Sequence, residues 1–199
     1  GDDVLDGGKN NDELYGEEGR DILAGQSGND TLFGGVGDDV LDGGENNDEL
    51  HGGDSVDNLI GGLGNDFLYG DVGNDVLLGG EGDDVLEGGA DNDYFDTGSG
   101  HDTLSLNLSS GNDTVENATG VDVARLNGVA AISGIGLTLI GNGAGARISW
   151  GSGNSLTYSF YNLDTQLWLD NDVKTTLRAV FNAKGRYPDE SFRFLSQYD

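Results

Sequence analysis

The chain has 199 residues and a formal net charge of −28, with 37 acidic and 9 basic side chains, 37 glycines, two histidines and no cysteine. Such a charge argues against nucleic acid and anionic membrane surfaces as partners, and the missing cysteines remove disulfides and thiolate metal centres. The whole excess lies in residues 1–116, with 30 acidic and 2 basic residues, whereas residues 117–199 carry 7 of each, so two regions of different character follow one another.

In the first region every ninth residue from Asp3 to Asp102 is an aspartate, and two places after each stands a leucine, replaced once by Phe95. From Gly7 to Asp96 ten nonapeptides run without a slip, such as Gly34-Gly35-Val36-Gly37-Asp38-Asp39-Val40-Leu41-Asp42, with the consensus G-G-x-G-x-D-x-U-x, U being apolar. Period nine does not fit the 3.6-residue helical turn, and glycine recurs too often for a helix. Glycine, aspartate and asparagine at positions 1 to 6 favour turns, while positions 7 to 9 hold the strand-like residues. Each nonad is therefore expected to be a six-residue turn and a three-residue strand. Two nonads, 18 residues, return the chain to its starting side, which predicts an all-β, right-handed parallel β-roll over residues 1–116.

The position-8 residues (Leu5, Leu14, Leu23, Leu32, Leu41, Leu50, Leu59, Leu68, Leu77, Leu86, Phe95 and Leu104) are expected to face inward. One buried leucine contributes roughly 1.5 to 3 kcal/mol, against roughly 1 to 2 kcal/mol of backbone entropy for each of nine residues ordered. Leucines alone do not hold such a roll. The aspartates oppose it further, because residues 18 apart lie in adjacent coils about 4.8 Å apart. Asp3, Asp21, Asp39, Asp57, Asp75 and Asp93 form one column, and Asp12, Asp30, Asp48, Asp66, Asp84 and Asp102 another. Each neighbouring pair would repel by roughly 1 kcal/mol in water and roughly 3 kcal/mol at intermediate dielectric. Cations between the coils are required. His51 and His101 stand at unrelated repeat positions, whereas carboxylates and turn carbonyls are hard oxygen ligands whose roomy cage suits calcium better than magnesium. About ten Ca2+ ions, one per 18-spaced aspartate pair, would leave a net charge of about −8, compatible with a compact domain.

The block is not uniform. Position 4 carries Asn10, Asn46, Ser55 and Asp91 in place of glycine, and position 5 carries Arg20, Val56 and His101. The ions involving Asp57 are expected to be the weakest. Residues 1–16 and 37–52 nearly repeat one another, which suggests duplication of a four-nonad unit. After Asp96 the pattern decays: Thr97 replaces the first glycine, and Gly111-Asn112-Asp113-Thr114-Val115 is a displaced echo.

Residues 117–199 read as a capping segment. Alternating stretches at Val121–Leu126, Ile135–Ile140, Ala146–Trp150, Leu156–Phe160 and Gln166–Leu169 predict longer strands. Asp172 is placed to cap a short helix with Val173, Leu177, Val180 and Phe181 on one face. A solenoid exposes unpaired strands at its open end, and this segment would cover them. Trp150, Trp168, Tyr158 and Tyr161 could instead form a stacking platform for a glycan or host surface, although core packing is the commoner use of such aromatics. There is no transmembrane run and no amino-terminal signal peptide. The chain begins at Gly1 in position 4 of a nonad without a methionine, which points to a parent protein extending upstream.

On these nonads, residues 1 to about 116 resemble the RTX (repeats-in-toxin) family of hemolysin-type calcium-binding repeats. The resemblance implies the carboxy-terminal region of a bacterial protein exported by type I secretion, a toxin, enzyme or adhesin that stays unfolded in low calcium and folds outside the cell. It implies ligation by the position-6 aspartates and by carbonyls of position-2 Gly35, Gly62 and Gly80 and position-4 Gly28, Gly37, Gly64, Gly73 and Gly82. The cap resembles the strand-rich ends of serralysin-type proteases and alginate epimerase modules. No nucleophile, metal-protease or triad pattern accompanies the two histidines, so no catalytic residue is expected here.

Overall fold

The computed structural model describes residues 1–107, 112–118, 123–127, 136–140, 145–150, 154–160, 166–169 and 173–176. The repeat block forms β1 (Val4–Lys9), β2 (Glu13–Glu18), β3 (Ile22–Ser27), β4 (Thr31–Val36), β5 (Val40–Glu45), β6 (Glu49–Asp54), β7 (Asn58–Leu63), β8 (Phe67–Val72), β9 (Val76–Glu81), β10 (Val85–Glu87), β11 (Tyr94–Ser99) and β12 (Thr103–Asn107). Odd strands pair in parallel in one sheet and even strands in the other, each strand with the one 18 residues on: Leu23 faces Leu41 and Leu41 faces Leu59, while Leu32 faces Leu50. This is the parallel β-roll that the period demands.

The division of each nonad differs from the sequence expectation. Strands β1 to β9 and β11 run six residues, over positions 7 to 9 and on through positions 1 to 3 of the next nonad, so the turn is only positions 4 to 6, as in Asn46-Asn47-Asp48 between β5 and β6. The glycines at positions 1 and 2 belong to the strand. The pairing skips position 1, passing from Asp42↔Ile60 to Gly44↔Gly62, and position 2 has positive φ, 107° at Gly44 and 109° at Gly62. Glycine at these positions therefore marks a kink within a strand rather than a loop.

From Leu23 to Leu86 the position-8 leucines are fully buried, as is Phe95, and Leu104 nearly so. Leu5 and Leu14, in the first coil, are only half-buried. On the outer face of the even sheet the position-9 residues Tyr15, Phe33, His51 and Tyr69 stack in one column, with centroids 4.7 to 4.9 Å apart and planes within 12° of parallel. Glu49 Oε1 lies 3.1 Å from His51 Nε2, and Tyr15 donates to Glu13.

Beyond the repeats come β13 (Asn112–Ala118), β14 (Val123–Asn127), β15 (Gly136–Ile140), β16 (Gly145–Trp150), β17 (Asn154–Phe160), β18 (Gln166–Leu169) and β19 (Val173–Thr176). β13 and β17 add to the odd sheet in parallel, and β14 and β18 to the even sheet, before antiparallel neighbours β16, β15 and β19 complete them. Five expected strands are thus present. The helix expected after Asp172 is not formed over Val173–Thr176, which is a strand: three of its four residues are β-branched, and β18 offers an edge to pair with. Leu177, Val180 and Phe181 lie outside the described residues. Among the described residues no helix is long and apolar enough to cross a membrane.

Candidate metal centre

The alternation that buries the leucines also buries the aspartates. Asp39, Leu41 and Gly43 lie at every second position and all three are buried, so the position-6 carboxylate sits on the inner face, inside the turn. From Asp21 to Asp102 these aspartates are 4% exposed or less. From Asp21 to Asp93 each fits because the residue five places before it is a glycine: a Cβ on Gly34 would stand 2.6 Å from Asp39 Oδ2 and 2.6 Å from the carbonyl oxygen of Gly52 in the next coil. Position 1 is glycine because the carboxylate occupies the space where its side chain would be.

The two oxygens of each carboxylate have different surroundings. Oδ1 accepts the backbone N–H of the aspartate one coil back: Asp21 N to Asp39 at 2.8 Å, Asp39 N to Asp57 at 2.8 Å, Asp30 N to Asp48 at 2.8 Å, Asp48 N to Asp66 at 2.8 Å and Asp84 N to Asp102 at 3.0 Å. The aspartate carbonyl in turn accepts from position 7 one coil on, as in Asn58 N to Asp39 O at 2.9 Å. Oδ2 is buried without a hydrogen-bond partner at Asp12, Asp21, Asp30, Asp39, Asp48, Asp57, Asp66, Asp75 and Asp84. A buried orphan oxygen at every coil is costly unless a proton or a cation meets it. Burial accordingly pushes these carboxyls up, to about 7 at Asp48, Asp57 and Asp84 and about 8 at Asp93, with the carboxylates of neighbouring coils adding to the shift. Asp39 and Asp66 move in the same direction for the same first cause.

A row of unpaired hard oxygens fits a divalent oxygen-seeking cation. Among the described residues no three carboxylate, imidazole or thiol side chains converge on one point, so backbone carbonyls would have to complete a coordination shell. The glycines named from the sequence lie in the same turns. Gly28, Gly37, Gly64, Gly73 and Gly82 have φ between 129° and 156°, and Gly35, Gly62 and Gly80 between 109° and 115°. The carbonyls of Gly35, Gly62 and Gly80 point along the roll at the bare Cα of the glycine one coil on, and so do those of Gly64 and Gly82.

Irregular positions are absorbed. Asn10, Asn46, Ser55 and Asp91 all adopt positive φ, with Ser55 the most extreme of them at 98°. Asp57 is nevertheless as regular as its neighbours, accepting from Asp39 and donating to Asp75 Oδ1 at 2.9 Å. Asp3 and Asp12, in the first coil, donate to Asp21 and Asp30, and Asp3 is exposed. One residue escaped the periodic reading: Asp113 is buried, and its Oδ1 accepts Asp93 N at 3.1 Å, so it extends the odd column by one coil. The spacing there is 20 rather than 18, and the signal was the displaced Gly-Asn-Asp-Thr-Val echo. Burial pushes Asp113 up to about 6. Thr97, in place of a position-1 glycine, is fully buried with Oγ1 unpartnered. The side chains of Trp150, Trp168, Tyr158 and Tyr161 lie outside the described set.

Among solved structures the chain is similar to a subunit of the mannuronan C5-epimerase from Azotobacter vinelandii, with 24% identity and a TM-score of 0.33, over 56% of this chain and 71% of that one. Comparison with curated proteins gives no match. The family model described as RTX calcium-binding nonapeptide repeat (4 copies) matches at residues 1–32, 15–50, 33–68, 51–86 and 69–104. Those matches span more than half of the chain and coincide with the aspartate columns, and the protein belongs to the RTX calcium-binding repeat family.

Proposed function

We propose that this chain is a calcium-dependent folding module of a larger secreted toxin, enzyme or adhesin, threaded unfolded through a type I secretion apparatus and folded outside the cell, with catalysis residing elsewhere in the parent. The observation that carries the reading is the column of buried aspartate Oδ2 atoms without partners. At neutral pH and low calcium the folded roll would hold these carboxylates out of water and against one another, while each coil adds only two leucines to the core. The extended chain keeps them hydrated and is favoured. Calcium supplies positive charge and oxygen coordination, and about ten ions would stand along the two columns, held by the position-6 aspartates and the position-2 and position-4 carbonyls. Binding to the folded state alone adds about 2.7 kcal/mol per site at a hundredfold excess over Kd, so ten linked sites offset a repulsion of the same order within the columns. Folding then becomes steep in calcium concentration.

Far-UV circular dichroism tests this. In EDTA at pH 7.5 and low salt the spectrum should be that of a disordered chain, with calcium producing a cooperative β transition and magnesium a far weaker one. A β-rich spectrum in EDTA, unchanged by calcium, would refute the switch, and equal midpoints for the two ions would refute the coordination.

A further inference from the structure

The turn column preceding β4, β6 and β8 carries on its outside a groove of about 540 Å³ whose floor is formed by Asp30 and Asp48 of the even aspartate column. Along it run Asn29, Asn47, Asn65 and Asp83, position 5 of four successive coils, with Glu49 and Phe67 beside them. The backbone fixes each position-5 carboxamide. Asn47 Oδ1 accepts the N–H of Asn65 at 2.9 Å and Asn65 Oδ1 that of Asp83 at 2.9 Å, with Asn29 doing the same for Asn47 at 3.4 Å. With the oxygens so engaged, the side-chain NH2 groups of three exposed asparagines form a row of donors repeating with the coils, about 4.8 Å apart. Glu49 and Asp83 add acceptors, and Phe67 offers an apolar ring that is 45% exposed.

We propose that this groove binds a linear, uncharged polysaccharide laid parallel to the axis of the roll. Pyranose hydroxyls both donate and accept, which matches a row of amide donors flanked by carboxylate acceptors, and the C–H face of a sugar ring packs on an exposed aromatic. A β-linked chain repeats over a length comparable with one coil, so successive rings meet equivalent asparagines. No basic side chain lines the groove, and Glu49, Asp83 and the net charge of −28 select against anionic glycans. The proposal uses the folded roll only as a scaffold, so it fails or stands independently of the secretion switch.

The test titrates the calcium-folded chain with hexamers of β-1,4-linked glucose and N-acetylglucosamine, and with alginate hexamers, by calorimetry and saturation-transfer NMR. One of the uncharged hexamers should bind and alginate should not. Asn47→Asp should weaken binding at least tenfold while the calcium-saturated chain keeps its β spectrum, because Asp83 already shows that aspartate serves the ladder, accepting His101 N at 2.8 Å. Phe67→Ala, at an exposed position, should weaken it similarly. No binding of either uncharged hexamer at millimolar concentration, tighter binding of alginate, or unaltered binding by both folded variants would overturn the proposal.

Discussion

The backbone N–H of Asp39 donates to Oδ1 of Asp57 one coil on, at 2.8 Å, while Oδ2 of the same carboxylate is buried without a partner. One oxygen ties coils together and the other carries the unmet charge, so substitution can separate the two roles. Asp57→Asn keeps an acceptor for Asp39 and removes the charge, whereas Asp57→Ala also leaves the Asp39 N–H unsatisfied, at a further cost of roughly 1 to 3 kcal/mol. Both variants should lose about two calcium ions by calorimetry, since Asp57 has a neighbour on either side. Both variants should therefore lower the urea midpoint of the roll at saturating calcium, the alanine variant further. Asp3, exposed in the first coil, should tolerate either change.

Gly34→Ala should damage folding more than Gly8→Ala. At Gly34 a methyl group meets Asp39 Oδ2 and the Gly52 carbonyl at 2.6 Å, an overpacking of roughly 1 to 3 kcal/mol that also displaces a carboxylate. At Gly8 nothing lies within 4 Å and only the positive φ of 94° is strained. Calcium midpoints of the two variants should differ in that order, and equal midpoints would contradict the inward placement of the carboxylate.

The pH dependence follows from the raised carboxyls. Asp48, Asp57 and Asp84 titrate near 7 in the fold and Asp93 near 8, against 3.8 ordinarily, so the metal-free fold binds more protons than the unfolded chain. Its stability is therefore greatest below about pH 4 and is lost as pH rises through 6 to 8. In EDTA, β-structure should increase from pH 8 to pH 5. Protons and calcium compete for the same oxygens, so the calcium affinity of the folded roll should fall below pH 7, while the calcium concentration needed for folding falls with it because protons already stabilise the fold. A calcium midpoint that is flat from pH 8 to pH 5 would show that these carboxylates are not the ligands.

Deleting residues 117–199 should impair folding more than deleting residues 1–54 from the amino end. β14 and β17 pair directly with β12 and β13, and without them both sheets end in open edges. Residues 1–116 should need much more calcium than residues 55–199, as read by circular dichroism. Identical midpoints would make the second region an independent unit.

Period nine was enough to place the leucine and aspartate columns, because a side chain that recurs every 18 residues in a stacked coil has no freedom of position. It did not reveal where strands end. Gly43-Gly44 reads as a turn by composition, yet parallel pairing on both sides carries it through as a kinked strand. Asp113 was hidden by a spacing of 20 rather than 18 from Asp93, and Val173–Thr176 by a plausible helix cap that lost to a neighbouring strand. The position-5 ladder had no signature beyond asparagine 18 apart, since its meaning depends on which backbone N–H it meets.

The column of Tyr15, Phe33, His51 and Tyr69 makes the roll its own optical gauge. Rings held 4.7 to 4.9 Å apart and nearly parallel couple their electronic transitions, and that coupling exists only when four successive coils are in register. The part of the near-ultraviolet ellipticity that disappears when Tyr15 and Tyr69 are replaced should therefore report coil alignment separately from β content.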